Sequence, residues 1–355
     1  MASWRDSTGR RMTRYGQTRA AASDLLIDGL GARADGVVTP AGGQTVEEFL
    51  TLWLEDSAKR SVRPLTFMSY KTIVSIDLIP ELGPLLLAQL TPQHVQRLMN
   101  RKLDGGLSPR RVQYVRAVLR LALRAAEQWG YVSRNVASLT TPPKAAPHEI
   151  RPLDPDRIRI FLEHIRGHRL EALYTVALAI GLRQGEALGL RWEDVDLDTA
   201  TLHVRHGLQR LDGKLTLVAP KTQRSRRTVM LPAVAVKSLR AHRERQAHER
   251  VLAAQLWREA DFVFTTPLGG PLDGNNVTHA FQRVLKSADL PHQRFHDLRH
   301  ACASLLLVQG VSPRVVMEVL GHSQVTLTLN TYSHVMPSLQ REAADQMDAA
   351  LGGGG

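Results

Sequence analysis

Apolar residues recur at spacings of three and four along most of the chain, which is the period of one buried face of an α-helix. The first stripe begins after Thr45 and consists of Val46, Phe49, Leu50, Trp53 and Leu54. The same pattern predicts further helices over 64–78, 91–103 and 108–129, each starting at a proline or at a capping residue followed by proline. These helices predict a helical domain over residues 44–140.

A second, larger domain is predicted over residues 154–335. A proline-rich, basic linker at 141–153 separates it from the first domain, and Asp154 and Pro155 then begin a new helix. Most of this domain has a helical pattern. Three β-rich segments predict one small three-stranded sheet, at 201–204, 215–218 and 227–231. The expected fold class is therefore mainly α with a small antiparallel β-sheet.

The two ends of the chain have patterns of their own. Residues 1–43 combine a basic strand at 10–16, a helix at 18–31 and a glycine-rich linker. Residues 336–355 are predicted to form a tail helix over 337–351, followed by four glycines. Both segments are expected to be separate from the two domains.

The charge balance indicates a nucleic acid as partner. Lys and Arg number 46 against 34 Asp and Glu, which gives a net charge of +12 and a sequence pI near 10.3. Cys302 is the single cysteine, which excludes an intrachain disulfide and a cysteine-based zinc site. No apolar stretch approaches the roughly 20 residues that cross a bilayer, and no secretory signal is recognisable. The composition predicts a soluble, cytoplasmic protein that binds DNA or RNA.

Candidates for nucleic-acid contact are found in both domains: three arginines of the fourth helix, and Arg224, Arg226 and Arg227 of the second domain. Arg116, Arg120 and Arg124 are spaced by four, which places their side chains in one row. Glutamates that could pair with them are scarce, which favours contact with phosphates. A solvated helix face is the other interpretation of this row.

Four clusters in the second domain carry candidate chemistry. In chain order they are Arg183 with Glu186, Lys221 with Arg224, Arg226 and Arg227, His296 with Arg299 and His300, and His322 with Tyr332. Each alone has an ordinary structural interpretation, such as a surface ion pair, a solvated basic loop or a core tyrosine. Together they suit phosphoryl transfer: arginines hold phosphate oxygens, a tyrosine attacks phosphorus and a lysine protonates the leaving oxygen. No nearby acidic cluster could hold Mg²⁺, so no metal or other cofactor is expected.

In the type, order and spacing of these residues the chain resembles the tyrosine recombinases, in particular the integrases of actinobacterial phages and integrative elements. The family pattern is Arg, Lys, His-x-x-Arg, His or Trp, and Tyr. Here it falls on Arg183, Lys221, His296, Arg299, His322 and Tyr332, at spacings of 38, 75, 3, 23 and 10 residues. The supporting acid of the family falls on Glu186, and His300 completes the His-x-Leu-Arg-His form. The resemblance extends from Thr45 to Leu351.

The resemblance implies a role for each of these residues. Tyr332 would attack the scissile phosphate and form a 3′-phosphotyrosyl link, while Lys221 would protonate the departing 5′-hydroxyl. His296 would assist proton transfer. The phosphate would be held by Arg183, Arg299 and His322. Because the 5′-hydroxyl of the partner strand then attacks the phosphotyrosine, neither ATP nor a metal would be required.

The resemblance also implies an architecture and partners. The helical domain would be a SAM-like core-binding domain that forms a C-shaped clamp around double-stranded DNA with the catalytic domain. A homotetramer would recombine two attachment sites in the nucleoid, with an excisionase and a DNA-bending host protein as further partners. Integrases that bind arm-type sites begin with a three-stranded sheet and a helix. Only residues 10–16 and 18–31 resemble that domain, so its first two strands are expected to be missing.

Three other interpretations are compatible with parts of the pattern. His296 and His300 are spaced like the histidines of zinc hydrolases, but Asp297 replaces the usual glutamate and Arg299 would repel a dication. Inhibition by EDTA would identify such a metalloenzyme. A non-catalytic DNA-binding protein would suit the charge but would not need Tyr332. A chromosome-dimer resolvase of the Xer type shares the catalytic pattern but is typically shorter and lacks the basic N-terminal segment.

Overall fold

The computed structural model describes residues 2–5, 11–16, 43–146, 152–219 and 226–321, with isolated positions near both ends at 18, 21, 23, 344, 345, 347–349 and 351. The chain divides into two units, Met1–Pro147 and His148–Gly355. The division falls inside the linker predicted at 141–153. The predicted tail helix lies largely outside the described residues.

A two-stranded antiparallel hairpin stands at the N-terminus. Strand β1 (Ala2–Arg5) pairs with β2 (Arg11–Arg14), with Ala2 opposite Arg14. The predicted basic strand is therefore confirmed, but the expectation that both preceding strands are missing is wrong. Strand β1 has only four residues, too few for a periodic pattern to identify it. The predicted helix at 18–31 lies mostly outside the described residues.

The first unit contains the four predicted helices, and two of them are extended by wide π-helical turns. Helix α1 (Val46–Trp53) continues through Leu54–Ala58 into Lys59–Ser61, and α2 (Pro64–Thr72) continues through Ile73–Leu78 into Ile79–Leu82. The remaining elements are α3 (Pro92–Asp104), α4 (Pro109–Gln128) and short 3₁₀ turns at Leu87–Gln89 and Val136–Leu139.

Capping residues fix where these helices begin. Thr45 Oγ1 accepts a hydrogen bond from the Glu48 amide at 3.2 Å, and the Glu48 carboxylate accepts one from the Thr45 amide at 2.8 Å. Thr91 and Ser108 cap α3 and α4, and each is followed by proline at the first helical position, where no backbone donor is needed. Each cap satisfies amide groups that the helix cannot, so the starts read from the sequence have a physical cause.

The apolar stripes of these helices meet in one core. Val46, Phe49 and Leu50 are fully buried, together with the apolar face of α4. The Phe49 ring lies 6.0 Å from the Trp129 ring and 5.5 Å from the Tyr131 ring. These aromatic contacts join α1 to the residues that follow α4.

The second unit is mainly helical. Its helices are α5 (Pro155–His164), α6 (Glu171–Ile180), α7 (Gln184–Leu188), α8 (Ala233–Ala253), α9 (Gly274–Ser287), α10 (Asp297–Val308) and α11 (Pro313–Leu320), with 3₁₀ turns at Trp192–Asp194 and Ala254–Leu256. Its strands are β3 (Val195–Asp196), β4 (Thr201–Val204), β5 (Gly207–Leu211), β6 (Lys214–Val218) and β7 (Arg227–Met230).

The strands form two small antiparallel sheets rather than the single one predicted. Strands β3, β4 and β7 pair in that order, with Leu202 opposite Val229. Strand β6 pairs instead with β5 in a separate hairpin. The prediction that 215–218 joins the same sheet is therefore wrong. Asp212 and Gly213 both have positive φ, 45° and 78°, which closes β5 onto β6 locally.

Helix α6 lies at the centre of the second unit. Nearly all its residues are buried, because it is apolar on all sides. Its Tyr174 ring is in a cluster with the rings of Phe161, Phe281 and Phe295. This packing fixes the end of α6, from which the first catalytic candidate follows. Of the helices described, none is both long and apolar enough to span a membrane.

Candidate active site

A left-handed glycine ends α6 and positions the first candidate arginine. Gly181 has φ +63°, and a Cβ there would lie 2.2 Å from the Leu320 Cδ2 atom. Only glycine meets both the backbone conformation and the close approach of α11. Arg183 follows as the N-cap of α7, as predicted from the helix boundary.

Arg183 is held by two elements of the second unit. Its Nη1 donates to Glu186 Oε1 at 2.6 Å, and its Nη2 donates to the Gly321 carbonyl at 3.2 Å. The predicted pairing with Glu186 is thus confirmed. The side chain remains 39% exposed, so the guanidinium is fixed and still reachable from solvent.

Glu186 is a buried carboxylate between two arginines. Its Oε1 pairs with Arg183, and its Oε2 accepts from Arg227 Nη2 at 3.0 Å. Burial alone would raise the pKa of Glu186, but the charges and hydrogen bonds of Arg227 and then Arg183 outweigh burial and lower it. Glu186 is therefore ionised at neutral pH and can orient both guanidinium groups.

Arg299 is fully buried on α10, with 1% of its surface exposed. Its Nη1 donates to the Gly181 carbonyl at 2.7 Å. Arg299 is thereby attached to the same short segment that carries Arg183. Arg183 and Arg299 are the two arginines predicted to hold the phosphate, and we call this pair the phosphate clamp. The structure brings both residues to one end of α6.

His296 and His300 lie one turn apart at the start of α10. Their ring centroids are 5.1 Å apart and the rings are perpendicular, so the two histidines lie on the same face of the helix. The turn before the helix is held by Asp297, which accepts from the Arg294 amide at 2.7 Å and from its guanidinium at 2.9 Å. Burial would raise the pKa of Asp297, but Arg294 lowers it. The two histidines are therefore presented from a fixed helix start.

Both histidines are neutral at physiological pH. Burial and the charge of Arg299 lower the pKa of His296, although the residue keeps an exposed face. Burial and the neighbouring His296 lower the pKa of His300 to about 4. A neutral imidazole can accept a proton, as the predicted role of His296 in proton transfer requires.

The pKa of His300 predicts how stability depends on pH. The unfolded chain protonates this histidine below its ordinary pKa of 6.5, whereas the folded chain does so only near 4. Stability from neutral His300 is therefore complete above pH 6.5 and lost between 6.5 and 4. Each unit of pKa difference corresponds to about 1.4 kcal/mol. In denaturant unfolding across this range, wild type should lose more stability than His300→Gln; parallel curves would contradict the prediction.

Lys221, His322 and Tyr332 lie outside the described residues, as does Arg224. The hairpin that precedes Lys221 is nevertheless defined. A Cβ at Gly189 would lie 2.7 Å from the Leu208 amide nitrogen, so β5 packs directly on the backbone of α7. Arg210 on β5 also pairs with Asp273 at 2.6 Å. The hairpin is thus anchored beside Arg183, and its second strand ends at Val218, three residues before Lys221.

The candidate DNA-contacting arginines differ in their surroundings. Arg120, Arg124 and Arg226 are exposed. Arg116 instead donates to the Thr140 hydroxyl at 2.7 Å and to its carbonyl at 2.8 Å, so the predicted row on α4 is not uniform. Arg227 is also held within its unit, with 7% of its side chain exposed. Contact with DNA stays a prediction for the exposed arginines.

Two structural contributions were not predicted from the sequence. The charge run predicts that Arg227 contacts DNA, whereas its guanidinium binds the buried Glu186. Gly181 and Gly321 each follow an apolar helix and have positive φ; glycine just after a helical stripe was the available signal. Among the described residues, no three His, Cys, Asp or Glu side chains are grouped as metal ligands.

Comparisons with known proteins agree with this arrangement. The profile of the phage integrase family matches residues 151–338, more than half of the chain. The profile of the phage integrase N-terminal SAM-like domain matches residues 45–103. The first match lies within the second unit, and the SAM-like match lies within the first unit.

Several relatives are similar over most of their length. The chain is 29% identical to a XerC-like tyrosine recombinase of Caldanaerobacter subterraneus, covering 97% of this chain and 93% of that protein. It is 30% identical to an integrase of Saccharopolyspora erythraea (87% and 83%) and 31% identical to an integrase of Streptomyces ambofaciens (95% and 89%).

Solved structures show the same fold. The Tn1549 transposon integrase in complex with transposon right end DNA superposes with a TM-score of 0.74 at 21% identity, covering 86% of this chain and all of that chain. A lambda integrase dimer bound to a core site gives a TM-score of 0.63 at 19% identity, covering 93% and 91%. With the profiles and relatives above, these matches establish that the chain belongs to the phage integrase family of tyrosine recombinases, enzymes that cleave and rejoin DNA.

Proposed function

We propose that this protein integrates and excises a phage or another mobile element through a 3′-phosphotyrosyl intermediate formed on Tyr332. The observation that carries the proposal is that Arg299 binds the Gly181 carbonyl, two residues before Arg183, whose own guanidinium is oriented by Glu186. Two guanidinium groups held by neighbouring parts of one unit suit a single phosphodiester. The relatives named integrase support the choice of reaction.

The arginines act on charge that develops at phosphorus. When the tyrosine attacks, negative charge grows on the non-bridging oxygens of the phosphate. Arg183 is held by Glu186 and Gly321, and Arg299 by Gly181, so both donors are oriented before DNA arrives. His322 completes this set of phosphate donors in our proposal. Preorganised donors stabilise the transition state without the cost of reorganising solvent.

Proton transfer balances at each end of the cleaved bond. The Tyr332 hydroxyl gives its proton to neutral His296 as its oxygen bonds to phosphorus. The bond from phosphorus to the 5′-oxygen breaks, and Lys221 protonates that oxygen. The reverse attack by a 5′-hydroxyl of the partner strand restores both protons and releases Tyr332. The phosphotyrosyl ester conserves the energy of the broken bond, so the proposed reaction needs no ATP. The arginines and Lys221 supply the positive charge, so the proposal includes no metal.

The proposal extends to assembly and partners. Four copies would exchange strands between two double-stranded attachment sites, since each copy supplies one nucleophile and four strands are cut. The match to a lambda integrase tetramer bound to a Holliday junction supports this assembly. We further propose action in the cytoplasm on the nucleoid, a clamp formed by both units around the duplex, and control of direction by an excisionase and a DNA-bending host protein.

Exposed arginines of α4 are proposed to contact phosphates, which predicts a salt effect. Each phosphate contact contributes about 0.9 to the slope of log affinity against log salt. Arg120→Gln and Arg124→Gln should each reduce that slope by about one in fluorescence anisotropy titrations. Arg116→Gln should mainly lower thermal stability, because its guanidinium is bonded to Thr140. Unchanged slopes for Arg120→Gln and Arg124→Gln would contradict the assignment.

The function is tested by trapping cleavage and then reversing it. The substrate is a half-site from the element's flanking DNA with a nick just beyond the cleavage point, so that the short 5′-hydroxyl fragment diffuses away. Wild-type protein in EDTA should give a covalent band on a denaturing gel. Adding an oligonucleotide with a complementary 5′-hydroxyl end should then release the protein and produce a joined strand.

The alternatives give different results in this experiment. A metal-dependent nuclease would be inhibited by EDTA and would leave no covalent band. A non-catalytic DNA-binding protein would shift the DNA without cutting it. A dimer resolvase would give the same covalent band, and a recombination assay with two complete sites separates it: a resolvase recombines two identical sites, whereas an integrase joins two different attachment sites. Absence of a covalent band on every flanking sequence that the protein binds would contradict the proposed function.

A further inference from the structure

Arg227 is an arginine buried at the junction of three elements. It is the first residue of β7 and lies six residues after Lys221 in the sequence. Its Nη2 donates to Glu186 Oε2 on α7 at 3.0 Å, and its Nε donates to the Val319 carbonyl on α11 at 2.8 Å. With 7% of its side chain exposed, Arg227 is placed to join these elements rather than to contact solvent.

The contact with Glu186 links Arg227 to the candidate phosphate clamp. Glu186 gives one carboxylate oxygen to Arg183 and the other to Arg227. Of the two arginines, Arg227 contributes more to lowering the pKa of the buried Glu186. Removing Arg227 would leave a buried carboxylate with Arg183 as its remaining described cation, and the geometry of Arg183 would change accordingly.

The contact with α11 attaches the same arginine to the chain segment before His322. Arg227 binds the Val319 carbonyl, and Arg183 binds the Gly321 carbonyl two residues later. A Cβ on Gly321 would lie 3.1 Å from Arg227 Nη1, so the guanidinium lies directly against this turn. Two cations at a helix C-terminus also stabilise it electrostatically.

We infer that Arg227 is a positioning residue, which orients Arg183 for the scissile phosphate through the shared carboxylate of Glu186 and through the end of α11. The inference rests on the proposed function, because it assigns a role within the same site. It replaces the expectation, drawn from the local charge run, that Arg227 contacts DNA. A positioning residue should change the rate of cleavage and leave the affinity for DNA nearly unchanged.

The test measures single-turnover cleavage of the nicked half-site and DNA affinity for Arg227→Gln and Arg227→Lys. We expect Arg227→Gln to cleave roughly 30- to 100-fold more slowly, with affinity within about twofold of wild type. Arg227→Lys keeps a cation near Glu186 and should recover part of the rate. The matched control is Arg157→Gln, an arginine on α5 that is 53% exposed, which should behave like wild type.

A double-mutant comparison separates positioning from a general structural effect. In an Arg183→Lys background, Arg227→Gln should cost no more than about threefold, because its effect passes through Arg183. Losses that multiply in the two backgrounds would overturn the inference, as would equal losses of affinity and rate. If Arg227→Gln fails to fold, the same comparison is made with Arg227→Lys, and a loss of rate that is equally large in the wild-type and Arg183→Lys backgrounds overturns the inference.

The outcome also separates this inference from the proposed function. If wild type forms no covalent complex, the proposed function fails. If wild type cleaves and Arg227→Gln cleaves within about threefold of it, the inference alone fails. The two failures therefore cannot be confused.

Discussion

Replacing Tyr332 by phenylalanine is expected to abolish covalent cleavage of DNA. The change removes one oxygen atom, the one that bonds to phosphorus, and leaves the ring in place. Loss of the nucleophile should reduce single-turnover cleavage by roughly 10⁴-fold or more. DNA affinity should stay within about threefold, because binding is dominated by phosphate contacts elsewhere. Denaturing gels and anisotropy titrations measure the two quantities separately.

A control tyrosine makes this result specific. Tyr114→Phe changes a partly exposed tyrosine of the first unit, whose hydroxyl accepts from Ser69 at 3.3 Å. It should cleave at the wild-type rate. Residual cleavage by Tyr332→Phe above a few per cent of wild type would mean that another group attacks the phosphate.

Loss of Arg183 should have the second largest effect. Arg183→Ala removes a guanidinium that is oriented by Glu186 and Gly321 and is still 39% exposed to a ligand. Cleavage should fall by roughly 10²–10³-fold, the range for loss of one preorganised donor to a developing oxyanion. Arg183→Lys should recover only part of the rate, because an ammonium cannot form the planar, two-pronged contact of arginine.

The control for Arg183 is a more exposed arginine on a different helix of the same unit. Arg240→Gln removes a 58% exposed guanidinium from α8 that lies near Asp198, and wild-type cleavage is expected. Thermal stability of Arg183→Ala should remain close to that of wild type, because Arg227 still neutralises Glu186. An Arg183→Ala rate within fivefold of wild type would exclude Arg183 from the phosphate clamp.

The helices of the first unit were predictable because their starts have local causes. Thr91 and Ser108 cap the next turn by their own hydroxyl groups, and the proline after each fits the first helical position. Thr45 and Glu48 form a reciprocal cap. None of these signals depends on the rest of the fold, so each can be recognised from the sequence alone.

Strand pairing was harder to predict because pairing depends on neighbours. The apolar alternation of 215–218 identifies a strand but not its partner. The Asp212–Gly213 turn selects β5 as that partner, and β5 itself has no β-branched residues. Local turn chemistry therefore decided a pairing for which hydrophobic pattern was insufficient.

The candidate site was predictable as a set of residue types but not as a network. Arg183 and Glu186 are three residues apart, so their pairing follows from helix geometry. Arg227 is 41 residues from Glu186, and nothing local distinguishes it from exposed Arg226. A buried ion pair between distant segments is fixed by tertiary packing, which the sequence pattern does not display.

The most direct test of cleavage by Tyr332 identifies the atom that is bonded to DNA. The covalent complex trapped on the nicked half-site is digested with nuclease and trypsin and examined by tandem mass spectrometry. The tryptic peptide 315–341 contains one tyrosine, Tyr332, besides several serines and threonines. We expect a nucleotide on Tyr332 in material prepared in EDTA. A nucleotide on a serine, a threonine or any other peptide would contradict it.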